Sequence, residues 1–265
     1  MNRNSDSYCF KPYSENSSLR IQEVKNELIF KYLPIRHFLS SYFRNEVFLA
    51  NPNTWPDPFE QNYRTHIKNK QDGGEDKDDF QELRDYYPFA TCFASELINE
   101  QASWNAYVKG NEPVVRVAIN YDNFLNELSK YKCGENERIY ISKMEYKQRG
   151  FILTPQPLER NDEEYNWRDL YIRNFSLKQN AYEFEGEIRL TLLTSIDEQD
   201  KSSHCLTGIN WLKFIDHITL PPVFGGNDEE IKKKKKVLKM TIDPSIKLYK
   251  STLYEIKHLT EERIW

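Results

Sequence analysis

Short apolar runs and helix-like spacings follow one another along most of this chain. Alternating apolar and polar positions are typical of strands, whereas apolar positions three and four residues apart are typical of helices. The predicted strands are 28–33, 46–50, 88–94, 113–119, 138–146, 181–194, 214–220 and 237–242. The predicted helices are 35–43, 100–108, 121–130, 163–178 and one that follows Gly225. This irregular order favours an α+β fold with mixed, mostly antiparallel sheets and flanking helices, not a doubly wound sheet.

The polarity of the chain ends predicts the domain organisation. Residues 1–27 are mostly polar and are interpreted as an N-terminal arm. Residues 28–251 are predicted to form one α+β domain, and 252–265 a C-terminal tail. Three prolines within 52–58 predict an irregular loop after the second strand.

Composition narrows the class of protein. The 265 residues carry a net charge of −4 and 14% aromatic residues, which excludes a wholly disordered chain and a generally basic nucleic-acid binder. The sequence has no apolar run of about 18 residues, so we expect no membrane span. The polar N-terminus resembles no secretory signal, and the four widely spaced cysteines are typical of reduced thiols. We therefore expect a cytoplasmic protein without a metal site.

A group of acids stands in the predicted strand Tyr182–Thr191. If this segment is one strand, Glu185, Glu187 and Arg189 share a face, with the two carboxylates roughly 6.5 Å apart. A solvated outer face is one interpretation. The other is a cleft whose carboxylates stabilise a developing positive charge.

Two further segments carry candidate binding residues, each with a purely structural alternative. The proline-rich loop holds Asp57 and Glu60 in a stiff setting, where they serve either as turn and cap residues or as part of a site. Trp104 and Tyr107 lie three residues apart on a predicted helix. They either pack in the core or stack on a planar ligand.

The sole basic cluster follows three acids on the last predicted helix. It consists of Lys232, Lys233, Lys234, Lys235 and Lys236. Acids early and lysines late complement the helix dipole, so a solvated face is one interpretation. Contact with nucleic-acid phosphates is the other.

Several segments, taken in order, resemble the bacterial domain of unknown function 2971. Its opening strand and acidic loop are matched by 30–32 and 56–60, and its Cys-Phe-Ser and Trp-x-x-Tyr motifs by 92–93 and 104–107. Its Lys…Tyr-Glu-x-Glu-x-Arg strand is matched by Lys178 and 182–189. Pro56 and Ala94 depart from the Asn and Ser that are usual in this family.

The order of elements also resembles the ADP-ribosyltransferase fold, whose late strand carries Glu-x-Glu. That likeness implies an enzyme that breaks the ribose–nicotinamide bond of NAD, with NAD as a substrate. Glu187 would then contact the ribose and stabilise its positive charge, and Glu185 would activate the acceptor or a water. The remaining residues expected to bind NAD are Lys31, Tyr32, Arg36, Asp57, Glu60, Trp104, Tyr107 and Arg189.

Three hypotheses arise from these patterns. The first is an ADP-ribosyltransferase or NAD glycohydrolase that acts as a bacterial toxin or anti-phage defence effector. The second is a nucleic-acid-binding module of a bacterial defence system that uses the lysine cluster. The third is a metal-dependent nuclease, which requires Asp57, Glu60, Glu185 and Glu187 to converge on one cation.

Overall fold

The computed structural model describes residues 11–14, 18–22, 27–55, 86–95, 100–107, 113–148, 167–222 and 228–251. The candidates Asp57 and Glu60 lie outside these residues. Within them, strands and helices alternate irregularly around one large sheet that is mostly antiparallel. The predicted mixture of helices with a mostly antiparallel sheet is therefore confirmed.

Short strands and helices make up most of the described part of the chain. The strands are β1 (Lys11–Pro12), β2 (Leu19–Ile21), β3 (Leu28–Pro34), β4 (Glu46–Ala50), β5 (Tyr86–Ala94), β6 (Val114–Asn120), β7 (Arg138–Lys143), β8 (Glu145–Lys147), β9 (Leu177–Gln179), β10 (Glu187–Ser195), β11 (Ser203–Thr207), β12 (Ile215–Leu220) and β13 (Lys247–Lys250). The α-helices are α1 (Ile35–Arg44), α2 (Glu100–Tyr107), α3 (Tyr121–Leu128), α4 (Trp167–Phe175) and α5 (Asp228–Thr241). Short 3₁₀ helices cover Pro52–Thr54, Asn180–Glu185, Ile196–Glu198 and Trp211–Lys213.

Local chemistry explains where the helices begin and end. Pro34 directly precedes α1 and cannot donate a backbone hydrogen bond, which costs nothing at a helix start. Asn45 ends α1 in the left-handed conformation, at φ 52°. The Asn120 side chain caps α3 by accepting a hydrogen bond from the Asn123 amide at 3.0 Å.

The long sheet places β10 near its centre. Its strands run in the order β1-β2-β7-β10-β5-β3-β6-β12-β13, and β4 joins it through β5 and carries β11 on its other side. β5 contacts two neighbours on the same side, because Ala94 pairs with Phe30 of β3 and Ala90 pairs with Ala50 of β4. The sheet therefore divides beside β5.

The central strands separate apolar from polar side chains on their two faces. Ile188 lies opposite Phe93, and Leu190 opposite Thr91, on the face that forms the main core. There the Phe124 ring packs 5.3 Å from Phe93. Fully burying one such ring stabilises the fold by about 1.5–3 kcal/mol. The opposite face of β10 carries Glu187, Arg189 and Thr191.

One predicted strand is mostly helical in the structure, and a strand lies within the predicted N-terminal arm. Residues 237–242 were expected to form a strand, but α5 continues through Thr241 and the edge strand forms later, at Lys247–Lys250. The alternating pattern there also fits a helix, because Leu238 and Ile242 lie four residues apart and are both buried. In the predicted arm, Leu19–Ile21 forms β2 and pairs with β7. No helix within the described ranges is long and apolar enough to span a membrane.

Candidate functional site

The predicted strand Tyr182–Thr191 is divided by Gly186. Asn180–Glu185 forms a 3₁₀ helix, Gly186 adopts a left-handed conformation at φ 48°, and β10 begins only at Glu187. A left-handed residue cannot continue a strand, and glycine adopts it without a steric penalty from Cβ. The expectation that Glu185 and Glu187 are neighbours on one strand face is therefore wrong.

Lys178 nevertheless brings the two carboxylates together. Its Nζ donates to Glu185 Oε2 at 2.6 Å and to Glu187 Oε2 at 2.7 Å. The Lys178 ammonium also lies 5.0 Å from the centre of the Tyr182 ring. Lys178 belongs to β9, which pairs with β8 in a separate two-stranded sheet. The turn at Gly186 thus directs both acids towards one cation.

Glu187 is held on both of its oxygens. Lys178 contacts Oε2, and Arg189 contacts Oε1 through Nε at 2.9 Å and through its terminal NH2 nitrogen at 2.8 Å. Only 3% of the Glu187 side chain is exposed, against 19% for Glu185. The solvated-face interpretation of this strand is therefore wrong for Glu187 and Arg189, which are buried.

Arg189 packs against two aromatic rings that are stacked on each other. Its guanidinium carbon lies 4.8 Å from the Trp55 ring centre and 4.7 Å from that of Phe175. The two rings are stacked, with centres 6.1 Å apart. Arg189 also donates to the Phe175 carbonyl at 2.8 Å. These contacts make Arg189 an anchor for Glu187 and tie α4 to the loop that follows β4.

Neighbouring cations determine the charge of Glu187. Burial alone would raise the pKa of Glu187, but Arg189, Lys178 and a hydrogen bond from the Cys92 thiol outweigh it and lower that pKa to about 2. Glu185 and Glu187 balance Lys178 and Arg189 in formal charge. The group of these four residues, called the ion cluster below, is therefore a neutral and tightly paired unit.

Lys31 lies where the sheet divides, on the main-core face opposite the ion cluster but within electrostatic reach of Glu187. Its Nζ donates to Thr91 Oγ1 and, at 3.1 Å, to the Cys92 carbonyl. The same ammonium lies 4.7 Å from the centre of the Phe93 ring. Burial lowers the pKa of Lys31 to about 8, although Cys92 and Glu187 act in the opposite direction. Burial thus disfavours the charged form of Lys31, whereas the partners of Glu187 favour its charged form.

Tyr32 and Trp104 belong to a second group of polar contacts. The Trp104 ring is fully buried and packs edge-on against Tyr32, with centres 5.0 Å apart. Trp104 Nε1 donates to Glu100 Oε1 at 3.1 Å, and Arg116 reaches the same oxygen at 2.6 Å. Burial raises the pKa of the Tyr32 hydroxyl. Of the two interpretations offered for Trp104, packing in the core and stacking on a ligand, the structure shows packing in the core.

Two other residues that were expected to bind NAD are Arg36 and Tyr107. Arg36 is exposed in the first turn of α1. Tyr107 is the last residue of α2, and its side chain is not among those described. Of the predicted set, the structure brings Glu185 and Glu187 together with Arg189, and it places Lys31 within electrostatic reach of Glu187.

The nuclease hypothesis finds no support in the described part of the chain. The Lys178 ammonium occupies the position between Glu185 and Glu187 where a shared metal ion would have to bind. No three His, Cys, Asp or Glu side chains among the described residues lie close enough together to hold a metal ion. Asp57 and Glu60, the other two acids of that hypothesis, lie outside these residues.

One member of the ion cluster and two of its neighbours were not predicted from the sequence as site residues. Lys178 and Cys92 appeared there only as members of motifs, and Tyr146 did not appear. The Tyr146 hydroxyl accepts a hydrogen bond from the Glu187 amide at 2.8 Å, and burial raises its own pKa. The lysine of the Lys…Tyr-Glu-x-Glu-x-Arg pattern was the one available signal for this network.

Comparison with known proteins gives no indication of what the ion cluster does. No protein-family model matches this chain, and no curated protein matches it. The resemblance to the domain of unknown function 2971 stays a prediction. Any function assigned to the chain therefore depends on the geometry of the ion cluster and its neighbours.

Proposed function

We propose that this chain is an NAD-consuming enzyme, an ADP-ribosyltransferase or NAD glycohydrolase, with Glu185 as the carboxylate that faces the substrate. The single observation that carries the proposal is the sharing of one ammonium, Lys178, between a partly exposed and a buried carboxylate. The mostly antiparallel sheet with β10 at its centre is compatible with an ADP-ribosyltransferase-like core.

The chemistry requires one ionised carboxylate beside the ribose. The bond between ribose C1′ and the nicotinamide nitrogen breaks, and its electron pair leaves with nicotinamide. The ribose then has oxocarbenium character, which a carboxylate stabilises. An oxygen of water or of an acceptor forms the new bond to C1′ and passes its proton to Glu185 or to solvent. The contact with Lys178 holds the Glu185 carboxylate in place for this task.

The geometry supports a change in the roles of the two carboxylates expected from the sequence. Glu187 was expected to touch the ribose, but both of its oxygens are occupied by Lys178 and Arg189. In the proposal, Glu187 instead fixes Lys178, and Lys178 orients Glu185. Glu187 and Lys178 are then positioning residues, and Glu185 is the catalytic one.

Two neighbours supply the other features of an NAD site. The half-buried Tyr182 offers an aromatic surface beside Lys178, in place of the buried Trp104. The ammonium of Lys31, a half-buried residue within electrostatic reach of Glu187, is suited to a phosphate of NAD. A bound phosphate would favour the charged form of Lys31 and raise its pKa.

Release of nicotinamide from NAD by the full chain tests the proposal. We expect Glu185→Gln to lower the rate about 10²–10³-fold, the usual cost of losing one well-placed charge. Glu183→Gln is the matched control, because Glu183 is an exposed acid in the same 3₁₀ helix. That variant should keep the wild-type rate. Thermal unfolding of each variant shows that a lost rate does not reflect a lost fold.

Two results would overturn this function. One is equal release by the wild type and the Glu185→Gln variant. The other is no release by the folded wild type when NAD is supplied with a bacterial lysate as a source of acceptors. If the enzyme is a toxin or defence effector, its expression in a bacterial host should lower cellular NAD and stop growth. The Glu185→Gln variant should do neither.

A further inference from the structure

Helix α5 has one side in the core and the opposite side in solvent. Leu238 is buried, and so is Ile242 just beyond the helix end. Lys232, Lys236 and Lys239 are exposed. These lysines stand at i, i+4 and i+7, so they form one row along the helix, called the lysine row below. At a rise of about 1.5 Å per residue, the row is roughly 10 Å long.

A second row lies beside the first. It contains Lys233, Val237 and Met240, again at i, i+4 and i+7. Val237 is 59% exposed and Met240 is 79% exposed. The outer surface of α5 therefore combines four exposed lysines with two exposed apolar side chains.

Among the described side chains of α5, the lysines outnumber the acids. Lys232 Nζ reaches Glu229 Oε1 at 2.8 Å, but both side chains are 71% exposed, and such pairs are worth little. Like charges four residues apart destabilise a helix by about 0.2–0.5 kcal/mol per pair. The whole chain has a net charge of −4, so this basic surface is a local feature. An external polyanion would relieve the repulsion along the row.

The position of the apolar residues decides which polyanion fits. A helix that lies on an anionic membrane inserts its apolar face among the lipid chains. In α5 that face is occupied, because Leu238 and Ile242 belong to the core of the protein. The exposed Val237 and Met240 stand in the neighbouring row, so the lysine row itself presents charge and is suited to a phosphodiester backbone.

We propose that the lysine row of α5 is a docking surface for the phosphate backbone of a nucleic acid. Lys232, Lys236 and Lys239 would pair with successive phosphates, while Val237 and Met240 flank the contact. The inference goes beyond the NAD chemistry and does not depend on it. Its test measures binding alone, so its failure would leave the proposed enzyme untouched.

The experiment is a salt titration of binding to fluorescein-labelled duplex DNA and single-stranded RNA, monitored by fluorescence anisotropy. The variant is K232Q/K236Q/K239Q in the full chain. The matched control is K132Q/K143Q/K213Q, which removes three exposed lysines outside α5 and leaves the same net charge. Each lost phosphate contact lowers the slope of log K against log salt by about 0.9 on duplex DNA. We expect a slope smaller by about 3 for the α5 variant and a wild-type slope for the control.

Several outcomes would overturn the proposal that the lysine row binds nucleic acid. Absence of binding by the wild type at about 50 mM salt would overturn it, as would equal loss of affinity in the two triple variants. Vesicles of phosphatidylcholine with phosphatidylserine form a second arm. Binding to these vesicles without binding to nucleic acid would show that the row is a membrane contact. Circular dichroism of the variants establishes that α5 is still folded.

Discussion

Lys178 and Lys236 carry the same ammonium group in opposite surroundings. Lys178 is buried and bonded to two carboxylates within 2.7 Å, whereas Lys236 is exposed on α5 among other lysines. Attraction between charges is strong where water is excluded and is screened within about 8–10 Å in physiological salt. We therefore expect the ion cluster to matter for the fold at any ionic strength. The lysine row should matter for partners, and only at low salt.

The largest expected effect comes from breaking the ion cluster at its centre. Glu187→Gln leaves Lys178 and Arg189 buried without their shared anion. Removing one member of a buried ion pair typically costs about 3–5 kcal/mol. We expect a loss of that size in the free energy of unfolding, measured with urea at neutral pH and unchanged by added salt.

Glu185→Gln is the comparison that makes this result specific. It removes the other carboxylate bound to the same Lys178, but Glu185 is partly exposed and water can replace it. We expect a cost of about 1 kcal/mol. Equal costs for the two variants would contradict the assignment of Glu187 as the anchor.

The response to acid separates the two carboxylates further. The ordinary pKa of 4.5 falls to about 2 for Glu187 in the folded protein. A lowered carboxyl pKa stabilises the fold above the ordinary value, and that contribution is lost as the pH falls from about 4.5 towards 2. The Glu187→Gln variant should lack this part of the acid dependence. The Glu185→Gln variant should retain it.

Most of the fold was accessible from the sequence because its signals are local. The apolar runs at 28–33 and 46–50 became β3 and β4, and the spacing after Pro34 became α1. The prediction was wrong around Gly186. The alternation of residue types there continues across a 3₁₀ helix and a left-handed turn, and the strand begins only after them. A strand pattern identifies alternating residue types, but it does not show where the backbone leaves the extended conformation.

The site was only partly accessible because its contacts join distant positions. Glu187 and Arg189 could be assigned to one face of a strand, but that pattern does not show whether the face is buried. Lys31 meets Cys92 only because β3 lies next to β5 in the sheet, and Lys178 meets Glu187 through the turn at Gly186. Such pairings depend on strand order, which no local pattern specifies.

An intermediate effect is expected at Lys31, across the sheet from the ion cluster. The pKa of Lys31 falls from its ordinary 10.5 to about 8, so the unfolded chain binds the proton more tightly than the folded protein. The free energy of unfolding should therefore rise as the pH increases from about 8 to 10.5. After allowance for partial exposure, we expect a rise of about 2 kcal/mol. Urea unfolding of the wild type and Lys31→Met across this range measures it.

Other groups that titrate in this range act in the opposite direction. Burial raises the pKa of Cys133 and of Tyr121, so their contribution to stability falls as the pH rises. The difference between the wild type and Lys31→Met cancels these terms, because both proteins contain them. The free energy of unfolding of the wild type, minus that of Lys31→Met, should therefore increase as the pH rises. A constant difference would mean that Lys31 titrates as it does in the unfolded chain.

The smallest expected effect, of opposite sign, lies on α5. Lys236→Glu replaces three repulsive contacts, with Lys232, Lys233 and Lys239, by attractive ones. We expect the free energy of unfolding to increase by about 0.5 kcal/mol at low salt and to return to the wild-type value at about 1 M salt, where the Debye length is near 3 Å. Lys236→Gln should give about half the increase. If the free energy of unfolding instead falls by more than about 1 kcal/mol, Lys236 has a stabilising partner within the protein. Lys236 would then resemble the paired Lys178 and not an exposed lysine without strong pairing.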